Sequence, residues 1–507
     1  MINIKNRREC FFDNFLIDEE NTTAEKRLHK PVRKGVILEL DKPWEGRYTT
    51  FFTPIYAEGK WKMYYVTQVY RTDNSVQKFV CYAESDNGVD WVRPDLCIVE
   101  FEGSVHNNII LDMEMLKEFN FKAFDNMSVF YDENPNCPRR EKYKMNAWLC
   151  GNSALIVLKS PDGIHFSKGQ IITEDGAFDS HNRIFWSREY NKYFCYYRDH
   201  HEPGKNIPFI DKSYFDKTAL ELFDPEKFML REPGDADDSS MIMRDVRVIE
   251  SEDFVNWTPK QSINMTGNDY QIYNNGVFPY PRAPHIFVGL PLRYTERKAW
   301  TKCYDELCGK GDRINRMGPR GLRQGLAISD GLFMSSRDGY NFTKYDEAIL
   351  PPPPENPEAF VYGDGTAAPA LIEVPSDIPG AENEYMLIVR ESFRATTGYN
   401  KLVKYTIRLD GFVSLHAGGE PVVAQTKEFT YDGENLYANI ATSARGGAYF
   451  TLKCGDEEYT SCEMFGNSTN KRIRFEDDEI VKRLSGKPVT LKIEMFDCDI
   501  YSIKFDK

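Results

Sequence analysis

The 507-residue chain has no apolar run of about 18 residues, so a membrane-spanning helix is not expected. Its start, Met1-Ile2-Asn3-Ile4-Lys5-Asn6-Arg7-Arg8, has basic residues but no apolar stretch behind them. No secretory signal is expected, and the cytoplasm is the expected location. Gly-x-Ser-x-Gly is absent, as is a Gly-rich phosphate loop, which argues against a nucleophile elbow and a nucleotide-binding P-loop. Cysteines number eleven, an odd count. Cys81, Cys195 and Cys498 fall inside apolar strands as small hydrophobes, and Cys303 and Cys308 have no second pair at zinc-site spacing. Reduced thiols, no metal and no cofactor are the expectation. The formal charge of −14 disfavours nucleic acid and an anionic membrane surface as partners.

What the chain does have is aromatic residues, 14% of the total, and a repeating hairpin. Ser85-Asp86-Asn87-Gly88-Val89-Asp90-Trp91 is the first copy, Ser160-Pro161-Asp162-Gly163-Ile164-His165-Phe166 the second. Ser251-Glu252-Asp253-Phe254-Val255-Asn256-Trp257 and Ser336-Arg337-Asp338-Gly339-Tyr340-Asn341-Phe342 follow, with a weaker fifth at Arg408–Phe412. Asp-Gly suits a turn that needs positive φ. Aromatic strands precede the hairpins, among them Trp61–Tyr65, Tyr143–Met145, Tyr193–Tyr197 and Tyr385–Leu387. The period of roughly 80 residues, with four strands per unit, predicts an all-β, five-bladed propeller over residues 1–412. Residues 202–240 read as an insertion with a helix near 219–223, and residues 295–325 as a basic loop containing Arg297, Arg313, Arg316, Arg320 and Arg323. Evenly spaced short strands after Gly411 predict a β-sandwich over residues 413–507.

In a propeller the inner strands converge on one funnel. Glu45, Asp125, Asp179, Asp269 and Asp364 each lie a few residues before an expected inner strand. Several carboxylates in one pocket suit glycoside hydrolysis, in which one carboxyl is a protonated acid and another a base or nucleophile. Asp125 and Asp179 are the expected base or nucleophile and transition-state stabiliser, with Glu45 or Asp269 as the acid. Asn126, His181, Asn182, Arg183 and Asn274 stand beside these acids as sugar-binding candidates, with Asp364 as a further contact. Arg47 could orient a carboxylate, and Trp44, Trp186 and Tyr273 could stack on a sugar ring. Asx residues before strands also cap turns, so each acid has a structural reading beside the catalytic one. Arg198-Asp199-His200-His201 is a candidate rim cluster, but adjacent His on an extended chain face opposite ways and make a poor metal pair. Arg244-Asp245-Val246-Arg247 reads as an ion-pair network, and Glu391 as a reserve acid.

The segments Arg27-Leu28-His29, Asp41-Lys42-Pro43-Trp44-Glu45-Gly46, Tyr82 through Trp91, Glu102-Gly103-Ser104, Arg408 through Phe412 and Asp499-Ile500-Tyr501-Ser502 resemble the five-bladed propeller glycoside hydrolases, the group of invertases, fructanases and arabinanases. Within that group the chain is most similar to bacterial proteins likened to the family 32 N-terminal domain. The resemblance implies a glycosidase acting on a small carbohydrate, a fructoside or arabinoside. The Asn-Asp-Pro-Asn-Gly and Arg-Asp-Pro motifs of invertase-type enzymes are absent, so their catalytic roles do not carry over residue by residue. Two alternatives stand beside it. One is a propeller phosphorylase or sialidase-like hydrolase, with the basic loop serving an anion; the other is a non-catalytic carbohydrate-binding protein. The C-terminal region could also serve contacts in a homo-oligomer.

Overall fold

The structure, a computed structural model, describes residues 1–71, 75–118, 124–149, 154–201, 243–296, 302–311, 313–314, 323–394 and 398–506. The expected insertion, with its helix, lies outside the described residues, as do Arg297, Arg316 and Arg320 of the basic loop. The fold is mostly β, and its sheets take a propeller arrangement.

Four sheets have a main path of four neighbouring strands. Sheet one runs Thr50–Ala57, Lys60–Tyr70, Val76–Ser85, Ile109–Asp112. Sheet two runs Phe124–Tyr131, Tyr143–Leu149, Ala154–Ser160, Ser167–Thr173. Sheet three runs Arg183–Ser187, Lys192–His201, Met243–Ser251, Gln261–Ser262. Sheet five pairs Glu384–Glu391 with Lys401–Arg408, and its last strand is Val32–Glu39 from the N-terminal region. Two short segments, Thr366–Ala367 and Ile372–Val374, together line the inner side of Glu384–Glu391.

Sheet four has seven strands because its first two are each broken and the short Asn264–Met265 pairs in parallel with its last. Gln271–Asn274 and Val277–Tyr280 flank Gly276, whose φ of +57° is one that most residues avoid. A Cβ at Gly276 would stand 2.7 Å from the Leu290 carbonyl oxygen. Opposite, Ala283–Gly289 and Leu292–Glu296 flank Pro291, which has no N–H to give a ladder. Both halves pair with Ala327–Ser336, which in turn pairs with Asn341–Leu350.

Hydrophobic clusters hold the ring. One joins sheets one and two through Tyr64, Val66, Met127 and Ile156. Others join two to three (Phe130, Val157, Ile184, Cys195), three to four (Phe185, Tyr196, Phe287, Met334) and four to five (Tyr280, Phe333, Leu387, Val403). A further cluster joins five back to one through Leu38, Tyr65, Ile388 and Leu402. Fully burying each such side chain stabilises by about 1.5–3 kcal/mol before entropy is counted, so the seams are the main source of stability. Trp186, expected as a sugar platform, belongs to one of these seams and packs on Tyr193 at 4.7 Å.

The expected fifth hairpin, Arg408–Phe412, leads from sheet five into Val413–Ala417 of the C-terminal sheet, whereas the first four expected hairpins join the third and fourth strands of their sheets. In each, the Ser Oγ accepts the N–H three residues on, at 2.9 Å from Gly88, Gly163, Phe254 and Gly339. The following Asn or Asp side chain accepts two further backbone N–H groups.

Residues after 412 supply six strands of one hydrogen-bonded sheet of eight, which is continuous because Asn435–Cys454 and Thr490–Asp506 run through its whole length. An irregularity between Thr442 and Gly447 separates two halves that share one core, including Ile440, Phe450, Ile493 and Phe505. The expected boundary at 412/413 is crossed. Arg8–Cys10 and Glu25–Leu28 are strands of this sheet, and Ile2–Lys5 pairs in parallel with Phe429–Tyr431. The N-terminal residues assigned to the propeller from sequence therefore pair with the C-terminal sheet: Ile4, Phe11 and Leu16 are apolar and find their burial there. No helix among the described residues is long and apolar enough to cross a membrane. Cys81, Cys195 and Cys498 are buried free thiols.

Candidate active site

The starting ends of the inner strands are backbone oddities. Phe51, Asn126 and Phe178 have φ of +57°, +55° and +49°, and Gly363 has +88°. Left-handed backbone at bulky residues costs free energy and gathers at functional sites. Ladder irregularities at Thr50/Thr53 and opposite Asn146/Trp148 accompany the first two, re-aiming the side chains around them.

Asn126 uses this backbone to clamp two carboxylates. Its N–H donates to Asp125 Oδ1 at 2.9 Å, and its Nδ2 donates to Asp179 Oδ1 at 3.0 Å. Asp125 Oδ2 is held by Lys78 of sheet one. Asp179 is exposed, whereas its neighbours Ser180, His181, Asn182 and Arg183 are buried. Asn182 Nδ2 donates to Phe178 O at 2.8 Å, and its Oδ1 accepts from the Arg198 N–H at 3.0 Å, which fixes the loop carrying Asp179. Asn274 Oδ1 accepts from Ser180 Oγ and from the His181 N–H, both at 3.2 Å. His181 Nε2 lies 3.1 Å from Thr53 Oγ1. Burial, with Arg183 and Arg390 nearby, holds this imidazole well below the usual range, so it is neutral.

Beside this clamp stand three tyrosines. Tyr362 meets Tyr273 edge-on at 5.2 Å and Tyr294 at 5.3 Å. A guanidinium covers each ring: Arg198 over Tyr273 at 4.8 Å, Arg244 over Tyr294 at 4.4 Å and Arg394 over Tyr362 at 4.5 Å. Arg198 Nη2 also donates to Tyr273 O at 3.1 Å. Arg390 bridges sheets five and one, donating to Thr50 Oγ1, Gly363 O and Thr366 Oγ1. Asp364 is buried between Asn356 Nδ2 (2.8 Å) and the Phe393 N–H (3.1 Å). Burial pushes its carboxyl up to about 7, against the pull of the Phe393 N–H and of Arg390.

The structure thus brings together Asp125, Asn126, Asp179, His181, Asn182, Asn274 and Tyr273, with Asp364, Arg183 and Arg390 close by. Arg183 Nη1 donates to Ser128 Oγ at 2.7 Å. Arg390 was not among the expected site residues, and Arg198 was expected only within a rim cluster; both are buried.

Glu45 goes elsewhere. It is fully buried behind sheet one, with Arg93 Nη1 at 2.6 Å, Tyr65 Oη at 2.8 Å and the Lys42 N–H at 2.9 Å. Burial raises its carboxyl despite the Arg93 pair, and Arg93, Tyr65 and the Lys42 N–H together engage both of its oxygens. Trp44 donates to Asn108 Oδ1 at 2.8 Å and packs on Phe101, so it belongs to the same seam. Asp269 sits outward on an ion-pair network: His201 bridges it (2.9 Å) to Asp245 (3.0 Å), and these two carboxylates lift His201 to about 9. Arg247 completes that network, as expected of the 244–247 segment, whereas Arg244 instead meets the side chain of Gln271. Glu391 is tied to Arg33 at 3.0 and 3.1 Å. Arg47 is exposed at the rim, its carbonyl accepting from the Arg394 N–H at 3.3 Å. Arg313, of the basic loop, turns inward onto the carbonyls of Ala359 and Phe360.

Among the described residues one group could hold a metal ion: Asp95, Cys97 and His106, all exposed on sheet one's outer loops. His106 Nδ1 is 2.6 Å from Asp95 Oδ2, so the three already satisfy one another. The group lies apart from the funnel.

No family model and no curated protein matches the chain. Solved structures do. One, from a study stating that the GH130 family of mannoside phosphorylases contains glycoside hydrolases that target β-1,2 mannosidic linkages in Candida mannan, is 12% identical with a TM-score of 0.41, over 77% of this chain and 99% of that one. A glycoside hydrolase family 43 arabinoxylan arabinofuranohydrolase from Bacillus subtilis is 10% identical with a TM-score of 0.38, over 92% and 96%. An N-acetylgalactosamine deacetylase from F. plautii is 13% identical with a TM-score of 0.37, over 75% and 94%. At this level of likeness none of the three assigns a reaction to the present chain.

Proposed function

We propose that the chain is a glycosidase working in the funnel of a five-bladed propeller backed by a C-terminal β-sandwich. The five blades are read from the cyclic set of hydrophobic seams, and the sandwich from the shared core of the two halves of the C-terminal sheet. The observation that carries the function is the Asn126 clamp, which sets two carboxylates side by side at a place open to solvent. Asp179, exposed, is the base or nucleophile. Asp125, bound by Lys78, stabilises positive charge developing on the sugar ring. Asp364, its proton retained near neutrality by burial, replaces Glu45 and Asp269 as the acid candidate, because those two are engaged in ion pairs. In the reaction the bond from the anomeric carbon to the glycosidic oxygen breaks, the departing oxygen takes a proton from the acid, and water gives a proton to the base as its oxygen joins the anomeric carbon. Asn126, Asn182 and Asn274 are the amides at hand for sugar hydroxyls. The substrate class is a small furanoside such as a fructoside or arabinoside, taken up as an oligosaccharide by a cytoplasmic enzyme.

The test is a hydrolysis screen of the purified chain against aryl furanosides and pyranosides. One class is expected to turn over. Asp179→Asn and Asp125→Asn should then each lower kcat by about 10²–10⁴-fold while sugar binding persists. Sugar binding with no turnover across the panel would replace the enzyme with a carbohydrate-binding protein.

A further inference from the structure

Buried cations in this fold are normally matched by carboxylates. Arg8 meets Asp410, Lys144 meets Asp132, Arg247 meets Asp245 and Lys344 meets Asp346. Arg183, Arg198, Arg244 and Arg390 break this rule: each is less than 9% exposed, and none forms an ion pair among the described residues. All four stand at the funnel. Arg183 reaches only a serine hydroxyl, Arg198 a carbonyl, Arg244 the side chain of Gln271, and Arg390 a carbonyl and two threonine hydroxyls. The Nε atoms of Arg183, Arg198 and Arg390 are buried with no acceptor among the described residues. Unmatched buried charge is costly, and a neutral sugar would leave it unmatched.

We propose that the funnel takes a ligand bearing an oxyanion, a phosphate or carboxylate group, received by Arg198 and Arg390 beside Tyr273. A guanidinium offers paired N–H donors to such a group, and its charge persists at every physiological pH. Burial alone lowers Arg183 to about 9; it also lowers Arg390 to about 10 against the pull of Asp364, and lowers Arg198 against the pull of Asp179, so burial outweighs the nearest carboxylates. Tyr273 and Tyr362 form the apolar wall against which a sugar ring carrying or approaching the anion would lie. The site deepens the glycosidase reading and rests on it for the bond cleaved. The oxyanion has two sources. It is either part of the substrate, as in a uronoside or a sugar phosphate, or inorganic phosphate. In the second case a phosphate oxygen forms the bond to C1 as the glycosidic C1–O bond breaks, the departing oxygen takes a proton, and a sugar 1-phosphate results with no change of oxidation state.

The experiment is calorimetric titration of the full chain with inorganic phosphate, glucuronate, glucose 6-phosphate and glucose. At least one anion should bind at least tenfold more tightly than glucose. Arg198→Gln should weaken that binding at least tenfold without lowering the melting temperature, and Arg198→Lys, which keeps charge but not the paired donors, should fall between. Arg390→Gln should act likewise, and if it fails to fold the two Arg198 variants still decide. Arg188→Gln, at an exposed ion pair with Glu133, should change nothing. Equal affinity for all four probes, or an Arg198→Gln protein that binds the anion unchanged, overturns the proposal. Release of sugar 1-phosphate from a neutral glycoside assigns the anion to inorganic phosphate, and cleavage of an aryl uronoside without phosphate assigns it to the substrate. Neutral glycosides cleaved at one rate with or without phosphate, and no anion bound, would end the oxyanion site and leave the glycosidase. An anion bound with no glycoside cleaved would do the reverse.

Discussion

Asp364 couples the funnel to pH. An aspartate in an unfolded chain titrates near about 3.9, whereas burial holds this one at about 7. Between those values the folded protein binds a proton that the unfolded chain has released. Stability from this group is therefore full below about pH 4 and is lost as pH rises through 7, by up to about tenfold in the unfolding equilibrium per pH unit. Asp364→Asn keeps the hydrogen-bonding shape and removes the proton. Denaturant titrations of both proteins at pH 5 and pH 7.5 should show the wild type losing more stability over that interval than the variant; equal losses would mean that Asp364 is already charged at pH 5. The residues of the clamp could be found from sequence because they stand directly before an apolar strand that must point at the axis. Glu45 and Asp269 satisfy the same pattern and go elsewhere, since position before a strand does not fix which way the loop turns its side chains. Arg198 and Arg390 were legible in another way: each follows by five positions the tyrosine that opens its strand, Tyr193 and Tyr385, where sheets one and two carry Val66 and Trp148. Comparing repeats column by column, beyond the hairpins, exposes that difference in charge.

At the scale of the element, the hairpin glycines matter for what they touch as well as for how they turn. Gly163 has φ of +80°, and a Cβ there would lie 2.4 Å from Tyr64 Oη and 2.8 Å from the Tyr143 ring, both in the seam between sheets one and two. Gly339 stands likewise against Tyr196 of the preceding sheet, and Gly88 against Ile372. The turn thus plugs the seam beside it, which explains why the pattern recurs in register with the aromatic strands. Phe254 occupies the third copy's glycine position at φ of +66° and fills the seam itself, 4.9 Å from Tyr193. Gly163→Ala combines strained backbone with a close contact and should cost about 2 kcal/mol or more, read as a lower denaturation midpoint. A change within about 0.5 kcal/mol would show that the seam has room to spare. Strand type and hairpin position were legible here because the period is short. The breaks at Gly276 and Pro291 were not, since the apolar pattern continues through them.

At the scale of the whole molecule, the sheet after residue 412 is incomplete without the first 28 residues. Sequence periodicity could not reveal this, because Ile2–Lys5 and Arg8–Cys10 are too short to announce a partner 400 residues away. Residues 413–507 expressed alone should lack a cooperative melting transition by circular dichroism, and joining residues 1–30 to them through a flexible linker should restore one. A cooperative transition in the isolated fragment would show that its core closes unaided.

Val32–Glu39 closes sheet five by pairing with Lys401–Arg408, the last strand of the ring to leave the ribosome. For most of the time taken to synthesise the chain this strand is therefore an orphan edge on a growing polypeptide, with Val32 and Val36 among the exposed apolar side chains even in the finished protein. Arg33 and Lys34 stand between those valines, and charges on an unpaired edge discourage pairing with a neighbouring chain. The ring is thus sealed late, and the latch is guarded by its own charges while it waits.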